Sequence, residues 1–437
     1  MDCRYAKNKP TNTVAPAIEL FCPAFAQFSS SAFNLNFTVP KNVIRETQNL
    51  MALIAAIYPS EEKRVQAIHV LLGKLLGKEI GSVWNTDGTS TDGVIRGSTN
   101  VHDAAVLLAL ADFKNELGGG NLDPSTQAGF TYTRTIAQAG AKVAHYCSSP
   151  TFLIVHAGPW LVILGAIFTD RFIVQRLTDF IWIPVHSCHD DAQFLRIARI
   201  LYALRQALAA LDSWYQSIMG DDNLQCYDSK SRPTAPHPRF FPTPTSYPGP
   251  NGPIKFNYTQ AIDSCVSCVT YLAMTQDFRK IVIKFVDNYG VAAHTVMANE
   301  GFAPKLLYYG FIDASQPSLY KDIRMVVMEF VDGKTVDDIE INNELPGSFS
   351  EQLKGAISYL HSEGFVFGDL RQPNIMISEG KVMLIDFDWA GKEGEVRYPV
   401  ALSKSITWPR GVEGLELIEK QHDLDMIDDI VRAVRWK

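Results

Sequence analysis

From Asp228 to Pro253 the chain is dominated by proline: eight of its 23 prolines fall in this stretch, which runs RPTAPHPRFFPTPTSYPGPNGP at its close. Proline lacks the amide donor and fixes φ, so neither a helix nor a central strand continues through such a run. It favours an extended, semi-rigid connector. The chain is thereby divided into two parts, each of which has to bury its own core. Its 437 residues suit this, at roughly 150 residues per domain. The expected limits are an N-terminal extension over 1–44, a domain over 45–220, the Pro-rich linker over 221–253 and a second domain over 254–437. Phe240, Phe241 and Tyr247 are the residues expected to pin the linker to a domain surface. A hydrophobic fraction of 46% and a charged fraction of 20% exclude a disordered, collagen-like or coiled-coil chain.

The second part carries Asp369-Leu370-Arg371-Gln372-Pro373-Asn374. After a short hairpin turning at Glu379-Gly380 comes Leu384-Ile385-Asp386-Phe387-Asp388. Oxygen side chains at the ends of two adjacent strands are what a hard divalent cation requires. The pattern resembles the protein-kinase catalytic loop D-L-x-x-x-N and the D-F-G that follows it. The resemblance implies phosphoryl transfer from ATP with Mg²⁺ or Mn²⁺. Asn374 and Asp386 would be the metal ligands, and Asp369 would accept or orient the proton of the attacking hydroxyl. Upstream, Ile281-Val282-Ile283-Lys284-Phe285 is similar to the strand whose lysine pairs with the phosphates. Gly301-Phe302-Ala303-Pro304-Lys305-Leu306 is similar to a segment of the aminoglycoside- and choline-kinase-like families. Met325 to Val331 resembles the strand and hinge that receive adenine, with backbone groups from Glu329 to Val331 as the contacts. Phe349 to Gly364 reads as the helix before the catalytic loop.

The pattern also departs from that family. Phe367 and Gly368 stand where the signature has His and Arg, and Asp388 stands where D-F-G has glycine. No G-x-G-x-x-G precedes Lys284, and Ile262 to Tyr271 offers only Ser264 and Ser267. The helix expected to carry the lysine's glutamate reads Val291-Ala292-Ala293-His294, with Asp287 before it and Glu300 at its far end. The run Asp386 to Pro399, with His422-Asp423 near the end, resembles the divergent kinase-like domains of mushroom-forming fungi, including the Crinkler-associated type. The expected fold is a bilobal α+β protein-kinase-like domain with a short C-lobe.

In the first part, Asp92-Gly93-Val94-Ile95 is followed by Asp112-Phe113-Lys114, at the end of an apolar run from Ala104. Alternation along a strand puts Asp112 and Lys114 on one face. The pattern resembles the PD-(D/E)xK nuclease superfamily, an α/β restriction-endonuclease-like fold. The resemblance implies that Asp92 and Asp112 bind Mg²⁺ or Mn²⁺, and that Lys114 orients the attacking water or steadies charge on the scissile phosphate. Gln127 and Tyr132 match its Q-x-x-x-x-Y element, and Glu61, Glu62 or Glu79 would supply a further acid. A nucleic-acid partner would bind through this domain, although the net charge is −7 and no basic cluster stands out. Around these motifs the pattern predicts a helix over Glu61 to Leu76, strands at Gly81 to Trp84 and Asp92 to Ile95, and a helix from Pro124 to Gln138 capped by Asp123. Strands at Thr151 to Val155, Trp160 to Phe168 and Arg171 to Leu177 follow, then a long helix from His189 to Ile218.

Three functional readings are open: a phosphotransferase acting on a protein hydroxyl, a metal-dependent DNA or RNA nuclease with a regulatory pseudokinase, and a non-catalytic scaffold. Seven thinly spread cysteines argue against a secreted disulfide framework, and Cys265 and Cys268 form a lone C-x-x-C. His186, His189, Asp190 and Asp191 read as a strand-to-helix loop rather than a metal site. The first residues lack a signal-peptide pattern. The apolar stretch from Phe152 to Phe168 is broken by Gly158, Pro159 and Gly165, so it reads as two buried strands rather than a membrane span. The expected compartment is intracellular, cytoplasm or nucleus.

Overall fold

The computed structural model describes residues 15–82, 91–101, 104–118, 123–138, 140–184, 190–219, 226–227, 237–262, 270–339 and 345–436. Cys265, Cys268, Ser264, Ser267, Trp84, His186 and His189 lie outside the described residues. The chain divides into two units, with the break between Pro244 and Thr245.

The first unit is a sheet clothed by helices. Its elements are α1 (Pro23–Ala32), α2 (Lys41–Ala55), α3 (Glu61–Leu76), β1 (Gly93–Val101), β2 (Ala104–Lys114), α4 (Pro124–Ala137), α5 (Ala141–Ala144), β3 (Thr151–Ala157), β4 (Trp160–Phe168), β5 (Phe172–Arg176), β6 (Ile181–Trp182) and α6 (Asp190–Met219). The strands run in the order β1-β2-β3-β4-β5, with β6 on β4. β2 and β3 are parallel, joined across α4, and the remaining pairs are antiparallel. Every residue of β3 is buried, as an uninterrupted apolar run on a central strand requires.

Local chemistry sets the element ends. Ser60 Oγ accepts the Lys63 amide and caps α3, acids occupy its first turn, and Gly77 closes it in the left-handed region at φ 65°. Asp123 caps α4 by accepting the Thr126 amide at 3.0 Å, and Pro124 occupies the first helical position.

Three details differ from the sequence reading. β1 continues to Val101: the register with β2 shifts at Arg96 and again before Asn100, and Asn100 and Val101 resume the pairing opposite Ala105 and Ala104. Gly81 contributes only a bridge to Val94. Within 1–44, the segment from Ile18 to Ala32 is part of the unit's core: Ile18, Phe25 and Phe28 are fully buried. The side chains of Ile18 and Phe25 occupy the space over β4 that a Cβ on Gly165 would enter.

The second unit begins within the expected linker. β7 (Ser246–Gly249) and β8 (Gly252–Ala261) form a hairpin in which Pro248 lies opposite Pro253. A proline is tolerated there because β7 is the edge strand. β9 (Thr270–Thr275), β10 (Lys280–Val286), α7 (Val291–Asn299), β11 (Leu306–Phe311) and β12 (Arg324–Glu329) follow. The antiparallel sheet has the order β11-β12-β10-β9-β8-β7, so β10 is central. Next come β13 (Lys334–Thr335), α8 (Phe349–Ser362), β14 (Phe365–Val366), β15 (Ile375–Ser378), β16 (Lys381–Leu384), β17 (Gly391–Lys392) and α9 (Lys420–Trp436). The β15–β16 hairpin turns on Glu379 and Gly380, both at positive φ (49° and 76°), the geometry of a two-residue primed turn. One apolar core joins α7, α8 and α9 to this hairpin through Met297, Leu353, Ile357, Ile375, Leu384 and Ile427.

Candidate functional site

Lys284 projects from the middle of β10, on the face that carries Val282 and Val286 rather than that of Ile283 and Phe285. The lysine is only 7% exposed. Its Nζ lies 2.7 Å from Asp386 Oδ1 and 2.7 Å from Asp388 Oδ1. Burial opposes its charge, but the two carboxylates prevail and raise it above the ordinary lysine range. Burial and the neighbouring Asp386 push Asp388 up to about 7, whereas Lys284 holds Asp386 below the usual carboxylate range despite its own burial. Asp386 has φ 67°, a left-handed conformation uncommon for a residue with a Cβ, two residues beyond the end of β16. The Ile385 amide beside it donates to the Asn374 carbonyl at 3.0 Å, which ties this turn to the segment from Asp369.

Asp369 is buried. Arg371 grips its carboxylate with two donors, at 2.5 and 2.7 Å, and the Asn374 amide group donates to both its carbonyl and Oδ2. Desolvation nonetheless raises the Asp369 pKa, and Asp386 adds to the effect. Four of the sequence-predicted residues thus converge from three segments, Lys284 and Asp386 directly and Asp369 and Asn374 alongside, and Asp388, which the sequence marked only as a departure from D-F-G, joins them on Lys284. Glu329 ends β12, and its amide donates to the Lys305 carbonyl at 3.0 Å. Val331 follows two residues later, partly buried.

Phe367 packs edge-on against Phe387 at 5.2 Å between ring centroids, and Phe387 in turn stacks on His294 of α7 at 4.5 Å and 8°. His294 Nε2 faces the Pro304 carbonyl at 2.7 Å, which can only accept, so the ring donates there. Its Nδ1 then accepts from the Tyr289 hydroxyl at 2.8 Å. An imidazole satisfied in its neutral form and buried has its pKa pushed down to about 4.

Besides Asp388, the sequence reading gave no role to two residues that matter here. Asp423, on α9, is fully buried and accepts the amides of Phe367 and Gly368 at 2.8 Å each and His361 Nε2 at 2.9 Å. Arg371 holds the Asp369 carboxylate. A buried acid far along the chain gives no local pattern; a basic residue two positions from Asp369 was the available signal for Arg371.

In the first unit, Lys114 Nζ lies 2.6 Å from Glu61 Oε1 and 3.4 Å from Asp112 Oδ1. Asp92 Oδ2 accepts the Phe113 amide at 2.9 Å. Burial, opposed by Lys114 and assisted by Asp92, pushes Asp112 up to about 6. Of the three upstream acids, Glu61 is the one in contact. Gln127 lies in the first turns of α4 and joins this group through no hydrogen bond among the described residues, and Tyr132 is buried with its hydroxyl on the Ser149 carbonyl. Among the described residues no group of three or more His, Cys, Asp or Glu side chains is arranged to hold a metal ion. No helix among them is long and apolar enough to cross a membrane.

The protein kinase domain family matches residues 270–402, a range that contains Lys284, Asp369, Asn374 and Asp386. The chain is 29% identical over 119 residues to "Probable serine/threonine-protein kinase mkcF" of Dictyostelium discoideum, covering 25% of this chain and 17% of that protein. It is 30% identical over 96 residues to the MAP kinase kinase MKK1/SSP32 of Saccharomyces cerevisiae, covering 20% and 18%. It is 35% identical over 72 residues to "Probable serine/threonine-protein kinase YbdM" of Bacillus subtilis, covering 15% and 27%. The chain therefore spans between 17% and 27% of the length of these curated relatives. Among solved structures it is similar to the PK-1 kinase of Cydia pomonella granulovirus, with a TM-score of 0.33 and 16% identity over 41% of this chain and 67% of that one, a likeness too loose to argue from. The match over 270–402 and the kinase relatives agree that this chain carries a protein kinase domain in its C-terminal half.

Proposed function

We propose that the C-terminal domain transfers the γ-phosphoryl group of ATP to a hydroxyl on a protein. The observation that carries this reading is the convergence of Lys284, Asp386, Asn374 and Asp369 on one side of β10 and the β15–β16 hairpin. The donor set suits Mg²⁺ or Mn²⁺. The Asp386 carboxylate and the Asn374 side-chain Oδ1 are hard oxygens, and such a cation takes one or two protein ligands and completes its shell with phosphates and water. When bound, it would neutralise charge on the phosphates. Lys284 would pair with the phosphates, the hinge around Glu329 and Val331 would receive adenine, and Asp369 would accept the hydroxyl's proton. Arg371 would keep the Asp369 carboxylate aimed. The serine/threonine kinases among the relatives support a protein acceptor, and ATP as co-substrate suits an intracellular setting, cytoplasm or nucleus. Divergent fungal, Crinkler-associated kinases remain the type that the run from Asp386 to Pro399 best resembles.

The test is phosphate transfer from labelled ATP to a generic protein acceptor with Mg²⁺ or Mn²⁺. Transfer by the full chain that vanishes in both Asp369→Ala and Asp386→Ala supports the reading. Absence of transfer and of any thermal stabilisation by ATP sinks it and favours the scaffold.

A second reading is favoured by one observation: Lys114 lies between Glu61 and Asp112, with Asp92 on the adjoining amide. We infer a PD-(D/E)xK nuclease-like domain here, over 45–220, in which Asp92 and Asp112 hold Mg²⁺ or Mn²⁺ on a DNA or RNA phosphodiester, Lys114 orients water and Gln127 assists. Metal-dependent cutting of plasmid or RNA that disappears in Lys114→Ala supports it; uncut substrate at every metal tried sinks it.

A further inference from the structure

The helix α7 contains no Asp or Glu, and Glu300 at its end is exposed. Lys284 still has two carboxylates, and the two are held differently. Asp386 stands at positive φ two residues beyond the end of β16, and its charge also acts on Asp369. Asp388 is carried by a loop fastened to the start of α7. The Gly290 amide donates to the Phe387 carbonyl at 2.8 Å, and Asn288 Nδ2 donates to the Asp388 carbonyl at 3.3 Å. Phe387 stacks on His294. The Ala390 carbonyl packs so closely that a Cβ on residue 290 would meet it at 2.2 Å. The backbone from 387 to 390 is thus registered against the helix, and the carboxylate at 388 reaches Lys284 where the helix itself offers none.

Resting on the phosphotransferase reading, we infer that Asp388 is the positioning residue for Lys284, taking the part of an acid carried by the helix. Asp386 is then free to turn to the cation while Lys284 stays aimed at the phosphates. The loop, rather than the helix, supplies the second half of the ion pair, and the missing helix glutamate and the missing D-F-G glycine are one exchange.

The experiment uses the full chain with Lys284→Ala, Asp388→Asn, Asp388→Glu and the double variant Lys284→Ala/Asp388→Asn. In the absence of nucleotide, acylation of Lys284 by an N-hydroxysuccinimide ester is followed by peptide mass spectrometry. Freed of its second carboxylate, the lysine should react at least about threefold faster in Asp388→Asn, with Asp388→Glu restoring the slow rate. In the presence of Mg·ATP, Asp388→Asn should lower kcat/KM about tenfold or more, and the double variant should be no worse than Lys284→Ala alone. An unchanged acylation rate overturns the inference. So does a double variant that loses the full factors of both single changes, because Asp388 would then act on the cation independently. If the wild-type chain neither binds nor turns over ATP, the phosphotransferase reading fails while the acylation arm still decides the pairing.

Discussion

The Asp423 carboxylate accepts the amide of Gly368, 55 residues upstream, at 2.8 Å. Its other oxygen accepts the Phe367 amide, also at 2.8 Å, and His361. A fully buried carboxylate holding three donors is the peg on which the segment leading to Asp369 hangs. Truncating it strands two buried amides, which costs about 3–5 kcal/mol where a buried charged network is broken. Asp423→Ala should therefore unfold the second unit at clearly lower urea concentration and abolish any transfer activity. Asp423→Asn keeps the shape but loses one acceptor, so it should fall between Ala and wild type. Equal stability of all three proteins would rule out this role.

Gly290 faces the Ala390 carbonyl so closely that any side chain must part α7 from the loop carrying Phe387 and Asp388. Overpacking of this kind costs about 1–3 kcal/mol. Gly355, exposed within α8, meets nothing within 4 Å, and alanine there should add up to about 1 kcal/mol through helix propensity. The pair Gly290→Ala and Gly355→Ala should thus shift the melting temperature in opposite directions. A rise with both substitutions would mean that the close approach at Gly290 is relaxed at no cost, and a fall with both would mean that Gly355 is needed where it stands.

Much of this architecture is legible from residue pattern alone. The spacing from Asp369 to Asn374 and on to Asp386, and the apolar strand around Lys284, identify the kinase domain because they are local and ordered along the chain. Glu61 to Leu76 is recoverable because its caps, Ser60 and Gly77, bracket an amphipathic run. What escapes is long-range. Nothing near Asp423 announces that its partners are at Phe367 and Gly368. The pairing of Asp388 with Lys284 depends on how a loop docks on α7, which no spacing encodes. The proline count at Pro248 and Pro253 suggests a connector, yet the edge position of β7 admits both residues into a hairpin. Ile18, Phe25 and Phe28 lie before the first strong pattern, and only the absence of a side chain at Gly165 makes room for Ile18 and Phe25 over β4.

His156, on the central strand β3, is buried with neither ring nitrogen hydrogen-bonded. Burial, reinforced by Arg64, pushes its pKa down to about 3, against an ordinary value of 6.5. The folded chain therefore binds fewer protons than the unfolded chain between these values. Its contribution to stability is intact above pH 6.5 and is lost progressively as pH falls towards 3, at about 1.4 kcal/mol per unit. Asp112, raised to about 6, acts in the opposite sense in the same unit, so the comparison has to be between two proteins that both retain it. Between pH 7 and 5, His156→Leu should lose about 2 kcal/mol less than wild type in urea titrations of the first unit. Parallel losses in the two proteins would show that His156 already takes up its proton in the fold.

Arg239 is buried in the middle of the Pro-rich stretch, and its guanidinium donates to the Ala144 and Thr169 carbonyls. The rings of Phe168, Tyr227 and Phe240 surround it, with its central carbon 4.4, 5.1 and 5.0 Å from their centroids. Desolvation lowers its pKa, so the stacking and the two carbonyls are what keep a charge in this place. A planar fork can bond two carbonyls while lying against aromatic faces; an ammonium group cannot do both. Arg239→Lys should therefore cost about 1–3 kcal/mol despite conserving charge. Because the same side chain fastens the segment from His237 to Pro244 onto the first unit, the loss should also appear as faster cleavage by a proline-tolerant protease within that segment. If Arg239→Lys cleaves and melts like wild type, the clamp rests on Phe240 and Phe241 instead, and Phe240→Ala should then show both effects.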